Sequence, residues 1–594
     1  MQAEQRNFIL AIVLSAIVLF GWSAISNRYF PTANPPATVI EGGRTTPVAA
    51  PSQLPAPSVA TPAVKRERAA VLAAAPRVAI RTPRLTGSLS LKGGRIDDLV
   101  MPTYRETIDP KSPPVRLLSP EGGPQAYFAG FGWLGDGAAG GGALPGPDTM
   151  WTADRTTLTP GAPVTLRWDN GAGLTFIQRV AVDADFMFTV EQRVANTGAA
   201  PATLRPYAFV NRAEVSKDQD LWTAHVGPIG AFNGGVNYDV DYANLTGEKP
   251  GFWTSLFGTK AVAGVNAATT NGGWLGFGDK YWLAAIAPQG KPRIDTAFRA
   301  GTGSFQADFA HAPLTVAPGR AASITTYLFA GAKEVNALDA YEARLGIPLL
   351  GKALDWGWFE VFEKPIFQYL HWLSGLIGNF GVAIMVLTLT VRGLMYPVAQ
   401  RQFKSMAAMR VVQPKMKAIQ ERHKDDKLKQ QQEIMALYKT EKINPLAGCL
   451  PVLLQSPIFY ALYKVLVLTI EMRHQPFALW ITDLSAPDPL TPLNLFGLLN
   501  FTPPALIGIG VLPIILGITM YLQFKLNPPP TDPVQAQMFA IMPWVLMFVM
   551  APFAAGLQLY YIVSNLLTIA QQKYLYSKYP GMKAAMATPV PAKT

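Results

Sequence analysis

Long apolar runs at both ends of the chain, with alternating apolar and polar residues between them, divide the sequence into three parts. Residues 8–25 carry no charge. As a helix they would extend about 27 Å, close to the thickness of the hydrocarbon core of a bilayer. We predict a transmembrane anchor over residues 1–30. A cleaved signal peptide is the alternative, because Ala24, Ile25 and Ser26 resemble a cleavage site.

The middle of the chain predicts a tether followed by a β domain. Residues 31–77 are rich in proline and alanine, which is typical of an extended tether. Residues 78–345 contain short alternating runs and predict a large all-β domain. Within it, residues 174–198 are expected to form two strands with a turn at 183–185, and residues 272–288 a second hairpin.

The C-terminal part predicts helices in a membrane. Residues 346–375 form an aromatic-rich amphipathic segment that suits the membrane interface, the alternative being a linker helix packed on the β domain. An uncharged run over 538–570 is too long for one crossing, and Pro552 and Gly556 indicate two helices joined by a tight turn. Five further spans are predicted over 376–396, 446–470, 505–524, 536–552 and 555–574. Together with the N-terminal anchor they make six.

The charge distribution orients these spans. The loop 397–444 holds eleven Lys and Arg against five acids, so the positive-inside rule places it in the cytoplasm. The tail 578–594 is also basic, and six spans put it and the N-terminus in the cytoplasm, with the β domain on the other side.

The basic loop is predicted to be a helical hairpin with arms over 400–420 and 427–440, interrupted near Pro414. A merely solvated loop is the alternative. Its charge suits anionic lipid, ribosomal RNA or both, and the sequence does not distinguish these possibilities. The basic residues that we expect to meet such an anionic partner are Lys415, Lys417, Arg422 and Lys424.

Composition removes several function classes. The 594 residues are only 15% charged, with a mean hydropathy of +0.17 and a net charge of +12, which argues against a purely soluble protein. The single cysteine, Cys449, excludes an intrachain disulfide and a cysteine-cluster metal site. The five histidines lack metal-ligand spacing, so we expect no metal site.

Arg392 is the most informative residue, because it lies inside a predicted span and no acid lies inside any of the spans from 376 onward. A snorkelling anchor is the plain alternative. Otherwise, water or an anionic ligand must compensate a charge that costs about 2.5–3.5 kcal/mol or more at the bilayer centre. Lys464, nearer the outer end of its span, is expected to reach outward. Polar residues elsewhere in the spans would support water: Thr388, Gln455, Ser456, Gln523, Gln558, Ser564, Asn565 and Thr568. We therefore infer a hydrated, cation-bearing pocket open toward the cytoplasm.

Four segments of the C-terminal part closely resemble the YidC/Oxa/Alb family of membrane protein insertases: 391–397, 409–463, 475–480 and 559–572. The β domain is more weakly similar, through 272–282, to the periplasmic supersandwich of Gram-negative members. The resemblance implies a polytopic α-helical protein of six spans, with a five-helix insertase core and a periplasmic all-β supersandwich, in the bacterial inner membrane.

The resemblance also implies a function without ATP, metal or cofactor, and no enzyme activity. Residues 376–577 would form the insertase core. Arg392 matches the arginine that attracts acidic residues of an incoming segment, and Thr388 and Tyr561 match nearby polar groove residues. Gln455, Ser564 and Asn565 complete the predicted groove. The implied partners are nascent membrane proteins, the Sec translocon, the ribosome and anionic lipids, but not DNA.

Two other classes of function remain as alternatives. A solute transporter or channel would predict inverted repeats and paired intramembrane ions, and the sequence shows neither. A sugar-binding role of the β domain would use Trp274, Tyr281 and Trp282 for stacking, although core packing accounts for such residues more simply.

Overall fold

The computed structural model divides the chain into two compact units, residues Met1–Trp358 and Phe359–Thr594. The predicted anchor, most of the tether and all but one residue of the basic tail lie outside the described residues. The structure describes residues 38–41, 44–47, 66–135, 142–218, 224–246, 265–301, 303–424, 426–441, 450–496, 498–499, 508–526 and 533–578.

The first unit is built mainly of strands, which confirms the predicted β domain. Its strands are β1 (Thr38–Glu41), β2 (Arg44–Pro47), β3 (Arg77–Arg81), β4 (Thr86–Ser90), β5 (Arg95–Arg105), β6 (Pro114–Leu118), β7 (Tyr127–Gly135), β8 (Thr152–Ala153), β9 (Thr157–Leu158), β10 (Val164–Asp169), β11 (Leu174–Val182), β12 (Met187–Asn196), β13 (Ala202–Arg212), β14 (Gly227–Phe232), β15 (Gly235–Asn237), β16 (Val265–Asn271), β17 (Trp274–Gly278), β18 (Trp282–Pro288), β19 (Arg293–Gly301), β20 (Ser304–His311), β21 (Leu314–Val316) and β22 (Arg320–Ala332).

Two large sheets contain nearly all of these strands. One sheet has the order β15-β14-β17-β18-β22-β12-β11-β10-β8, and the other has the order β16-β19-β20-β13-β7-β5-β4-β3-β9. In the second sheet β21 also pairs with β13, and β6 with β5. Described pairs are antiparallel except for β3 with β9. β1 and β2 pair only with each other.

Both predicted hairpins are confirmed. β11 and β12 pair from Leu174↔Asn196 to Val182↔Phe188, so the turn falls at the predicted position. β17 and β18 pair from Leu275↔Ile286 to Gly278↔Leu283. The alternation of apolar and polar residues predicted these strands correctly, because one face of each strand is buried in the core and a period of two places apolar residues on that face.

The core of the β unit lies between the two sheets. The side-chain amides of Gln178 and Gln192 donate to the carbonyls of Phe131 (3.0 Å) and Gly132 (2.9 Å), and so link the sheets. Trp274 is 1% exposed and Tyr281 is 8% exposed. These two aromatic residues are therefore core residues, which confirms the packing alternative to sugar stacking for them, whereas Trp282 is half-buried.

Helices dominate the second unit. The helices in the described residues are α1 (Arg68–Ala73), α2 (Tyr242–Thr246) and α3 (Val335–Leu345) in the β unit, then α4 (Glu360–Ile377), α5 (Phe380–Leu394), α6 (Tyr396–Arg422), α7 (Lys427–Thr440), α8 (Leu450–Leu468), α9 (Val511–Leu526), α10 (Pro533–Met550) and α11 (Ala555–Lys578). Short 3₁₀ turns lie at Leu350–Ala353, Gly357–Phe359, Ile470–Met472 and Pro492–Asn494.

The long uncharged run forms two helices, as predicted. α10 ends at Met550 and α11 begins at Ala555. Gln558, which is fully buried, closes the turn by donating to the carbonyls of Met550 and Phe553, both at 2.9 Å. Carbonyls at the end of a helix lack intrahelical partners, so this side chain replaces bonds that the turn would otherwise lose.

The basic loop is a helical hairpin, as predicted, but the interruption predicted near Pro414 is wrong. α6 continues through this proline to Arg422. A proline inside a helix removes one hydrogen bond and crowds the preceding turn. Val412 and Met416, on either side of Pro414, pack against Leu437 and Tyr438 of α7, and this packing keeps the two turns in line.

None of the helices in the described ranges combines the length and the sustained hydropathy required of a membrane span. The expectation that Lys464 reaches outward is wrong, because its side chain is 3% exposed. It lies beside Leu462 and Val465, which are completely buried, so this part of α8 faces the interior of the helical unit.

Candidate functional site

α5 carries Arg392 in its last turn. Asn379 caps the start of the helix, its side chain accepting a hydrogen bond from the Val382 amide at 3.1 Å. Ala383 and Ile384 are completely buried and pack α5 into the unit. The carbonyl end of a helix carries partial negative charge, which favours a cation there. The capped start and the buried stripe thus fix the helix that presents Arg392.

The guanidinium of Arg392 is bound to a hydroxyl. Its Nε donates to Ser564 Oγ at 2.9 Å, and its Nη2 donates to the same oxygen. Ser564 lies on α11 and is 2% exposed. Within the described parts of the chain, no carboxylate lies within 4.0 Å of Arg392. A half-buried cation is therefore held in place by a neutral group, and its charge stays uncompensated there.

A second polar contact lies next to this pair. Gln455 of α8 donates its side-chain amide to the hydroxyl of Tyr560, which is 1% exposed. Tyr560 and Tyr561 both lie within electrostatic reach of the Arg392 guanidinium. The ring of Tyr561 packs against Phe459, with ring centroids 5.1 Å apart. α5, α8 and α11 thus bring one cation, two phenols, an amide and a hydroxyl together.

The structure places four of the six predicted groove residues in this cluster: Arg392, Gln455, Tyr561 and Ser564. The hydroxyl of Thr388 is fully buried and donates to Ile384 O of its own helix at 2.7 Å. Asn565, which is 6% exposed, donates to Thr519 of α9 at 3.2 Å. The polar groups of these two residues are therefore engaged elsewhere.

Sequence reasoning missed Tyr560 as a member of the cluster. Tyr560 and Ser564 are four residues apart on α11, so they lie on one face of the helix. Gln455 faces the same cluster from α8. The helical spacing of Tyr560 from Ser564 was the available signal.

The predicted recruitment residues lie at the hairpin of α6 and α7. Lys415 forms an ion pair with Glu441 at 2.7 Å. Lys417, Arg422 and Lys424 are exposed. Because they are exposed, their charges remain available to an anionic surface. No group of three or more potential metal ligands occurs in the described residues.

Comparison with known proteins identifies the class. Residues 372–583 match the family model for the 60 kDa inner membrane protein, and residues 77–369 match the model for the YidC periplasmic domain. The two matches meet close to the point where the structure divides the chain. The chain therefore belongs to a class of bacterial inner-membrane proteins with a periplasmic β domain.

Full-length relatives define the family. The membrane protein insertase YidC of Zymomonas mobilis is 47% identical over 97% of this chain and 96% of the relative. That of Acidiphilium cryptum is 48% identical over 85% of each chain. A crystal structure of active YidC insertase aligns with 94% of this chain and 98% of its own, at 17% identity and a TM-score of 0.34. The chain is a member of the YidC family of membrane protein insertases, which confirms the resemblance found in the sequence.

Proposed function

We propose that this chain inserts membrane proteins by attracting acidic residues of an incoming segment to Arg392. The observation that carries the proposal is the bonding of Arg392, which contacts the Ser564 hydroxyl and, within the described residues, no acid. A structural arginine in such a place would normally be paired. An arginine held by a neutral hydroxyl keeps its positive potential for a carboxylate that arrives from outside.

The mechanism needs no external energy source. An acidic tail must leave water to cross the bilayer, and the cation lowers the barrier at that step. Partitioning of the apolar part of the incoming segment into lipid then drives insertion. We accordingly infer that the function uses no ATP, metal or cofactor. Tyr560, Tyr561 and Gln455 would keep the surroundings of Arg392 polar enough to admit water.

The directions of the helices support a polytopic arrangement. The first residues of α5, α9 and α11 all contact the loop between α8 and α9. These three helices therefore start at one end of the helical unit. The basic α6–α7 hairpin follows the opposite end of α5. Five alternating helices, preceded by the proposed anchor at 1–30, would give six spans, both termini in the cytoplasm and the β unit in the periplasm.

The surface of the helical unit suits contact with lipid and with an apolar guest. α10 exposes Met538, Ile541, Val545 and Phe548 by 47–56% each. The first three of these, with Gln537 and Met542, line an open pocket of about 330 Å³. Large apolar side chains left exposed in a row mark a surface that is covered by another apolar phase. We propose that a new helix leaves the groove along α8 and α10.

The same proposal assigns the partners. Nascent membrane proteins would be the substrates, and the exposed Lys417, Arg422 and Lys424 would recruit the ribosome or anionic lipid. The Sec translocon would be a further partner. The hairpin carries the positive charge that such anionic surfaces require.

Reconstitution in liposomes tests the function. Two short membrane proteins, identical except for an acidic or a neutral tail, would be offered to the wild-type chain and to Arg392→Glu. We expect Arg392→Glu to reduce insertion of the acidic-tail substrate by about a hundredfold, since it replaces attraction by repulsion at short range. Insertion of the neutral-tail substrate should fall much less. Arg392→Lys, which keeps the charge, is the matched control. Equal insertion of the acidic tail by wild type and Arg392→Glu would refute the proposal.

A further inference from the structure

One loop of the helical unit contacts the beginning of three different helices. This cap loop, residues 470–496, follows α8 and contains the 3₁₀ turns Ile470–Met472 and Pro492–Asn494. The first turn of any helix has amide groups without intrahelical partners. At α9 and α11 the cap loop accepts hydrogen bonds from these amides. At α5 it holds in place Asn379, the residue that accepts from such an amide.

At α5 the contact depends on a glycine. The side-chain amide of Asn379, the residue that caps α5, donates to Phe477 O at 2.8 Å. The Phe477 side chain occupies the space next to Gly381, where an added Cβ would lie 2.0 Å from it. The Phe477 side chain therefore packs directly on the helix backbone at Gly381, where no side chain larger than glycine's would fit.

At α11 the contacts are made by the backbone. The amide of Ala555 donates to Ala486 O at 2.8 Å, and the amide of Gly556 donates to Leu484 O at 2.9 Å. These are the first two residues of α11. The position of α11 along its own axis is thus set by two carbonyls of the cap loop.

At α9 the backbone amide of Val511 donates to Leu490 O at 3.0 Å, and a side-chain contact is made by Asp488, which is 5% exposed. Its Oδ2 accepts from the Leu512 amide at 2.7 Å, in the first turn of the helix. Its Oδ1 accepts from the Trp480 indole and from the Leu490 amide, both at 3.0 Å. A carboxylate at a helix start is favoured by the helix dipole, and bonds to a charged acceptor are stronger than neutral ones.

The backbone of the cap loop needs such support. His474, Leu479, Leu495 and Phe496 have positive φ angles of 60°, 56°, 50° and 55°. Residues other than glycine adopt this left-handed conformation only at a cost in free energy, which surrounding contacts must offset. The loop therefore holds its shape because it is tied at several points, and loss of a strong tie should loosen it as a whole.

We propose that Asp488 is a positioning residue, which holds the cap loop and thereby sets the place of Ser564 beside Arg392. Asp488 ties Trp480 and Leu490 to the start of α9, and the same loop holds the start of α11. From Gly556 to Ser564 the rigid helix rises by about 12 Å. A shift of the loop is transmitted along α11 to the hydroxyl that Arg392 contacts. The role in the groove rests on the proposed function, whereas the role in the loop does not.

Hydrogen exchange in the full-length protein tests the loop. In Asp488→Asn an NH2 group replaces the carboxylate oxygen that accepts from the Leu512 amide. Two hydrogen-bond donors then face each other, and this hydrogen bond is lost. We expect exchange at Ala555 and Gly556, which Asp488 does not touch, to rise by about tenfold or more, the effect of losing a hydrogen bond to a charged group. Asp483→Asn is the matched control, because Asp483 accepts only from His474 and Ser485 within the loop. Unchanged exchange at Ala555 and Gly556 in Asp488→Asn would overturn the proposal.

Insertion assays test the link to the groove. Asp488→Asn should reduce the preference for an acidic over a neutral tail by up to about fivefold, the effect of losing the hydrogen bond between Ser564 and Arg392, because Ser564 no longer holds Arg392 in place. A purely structural defect would lower insertion of both substrates equally, and this result would overturn the positioning role. Trp480→Phe, which removes a single donor to Asp488, should reduce the same preference by a smaller factor and covers the case in which Asp488→Asn does not fold. A wild-type chain without any tail preference would refute the proposed function, yet leave the exchange result valid.

Discussion

The two units surround their buried cations with different groups. In the β unit, Arg299 lies against Asp308 at 2.8 Å and Arg212 against Asp279 at 2.7 Å, all four side chains being largely buried. In the helical unit, the half-buried Arg392 donates both of its hydrogen bonds among the residues described to the Ser564 hydroxyl. A paired buried charge serves the fold, because its field is cancelled locally. A buried charge beside a neutral group keeps a field that another molecule can use.

Lys333 shows a third arrangement, within the β unit. The residue is 2% exposed, and its amine donates to Ala353 O at 3.4 Å. Burial lowers the pKa of Lys333 to about 8, although Asp279, Asp355 and Asp218 act in the opposite direction. This lysine can escape the cost of an unpaired charge by losing its proton, which an arginine cannot do. The contrast explains why an arginine suits a site that must remain positive.

The largest effect is expected from breaking the buried pair of the β unit. Asp308→Asn removes the carboxylate that the buried Arg299 contacts and should destabilise the unit by about 3–5 kcal/mol. Urea unfolding of the full-length protein, followed by tryptophan fluorescence, measures the change. A double variant, Arg299→Met with Asp308→Leu, removes both charges and should recover most of the loss. A double variant as unstable as the single one would show that the charges themselves stabilise the fold.

A smaller effect of opposite sign is expected at Lys333. Because its pKa is lower in the folded than in the unfolded chain, stability falls as the pH drops from 10.5 through 8. Lys333→Met should therefore stabilise the β unit by about 3 kcal/mol at pH 7. The gain should shrink above pH 8 and vanish near pH 10.5, as unfolding curves at several pH values would show. The exposed Lys291→Met is the control, and an equal gain there would contradict the role of burial.

The comparison can next be sharpened at Ser564. Ser564→Ala removes the acceptor of two donors of Arg392 and should lower insertion of an acidic-tail substrate by about fivefold, the equivalent of one hydrogen bond. Insertion into liposomes measures it. Thr568→Ala is the matched control, because the Thr568 hydroxyl donates to the Ser564 carbonyl of its own helix. If both variants behave alike, the bond to Arg392 does not matter for function.

The smallest effect is expected at Thr388. Its hydroxyl is buried and bonded to its own helix, and valine has nearly the same shape. Thr388→Val should change insertion in the same assay by less than about twofold, since one weak intrahelical bond is lost. A tenfold loss would show that this hydroxyl reaches the groove during function.

Sequence patterns predicted those features that depend on neighbouring residues. Alternation located the β11–β12 and β17–β18 hairpins, and Pro552 with Gly556 located the break between α10 and α11. Pro414 misled the prediction because the contact of Val412 and Met416 with α7, which keeps the helix continuous, is not visible locally. Tertiary packing decides such cases.

The sequence predicted most residues of the candidate site but not the hydrogen bonds between them. The sequence showed that the spans from 376 onward contain no acid to pair with Arg392, and Ser564 and Gln455 stood out as polar residues in apolar runs. The hydroxyl to which Arg392 donates depends on how α5 and α11 face each other, which the sequence does not show. Asp488 was missed entirely, since its partners at Trp480, Leu490 and Leu512 become neighbours only after the loop has folded.

The ties between the cap loop and α11 have a consequence for biosynthesis. The carbonyls of Leu484 and Ala486 are synthesised about seventy residues before the amides of Gly556 and Ala555 that they bind. These bonds must wait until α11 has emerged from the peptide exit tunnel. Each new copy of the protein therefore completes this end of its helical unit only after α11 has been made, and a chain truncated before Ala555 never does.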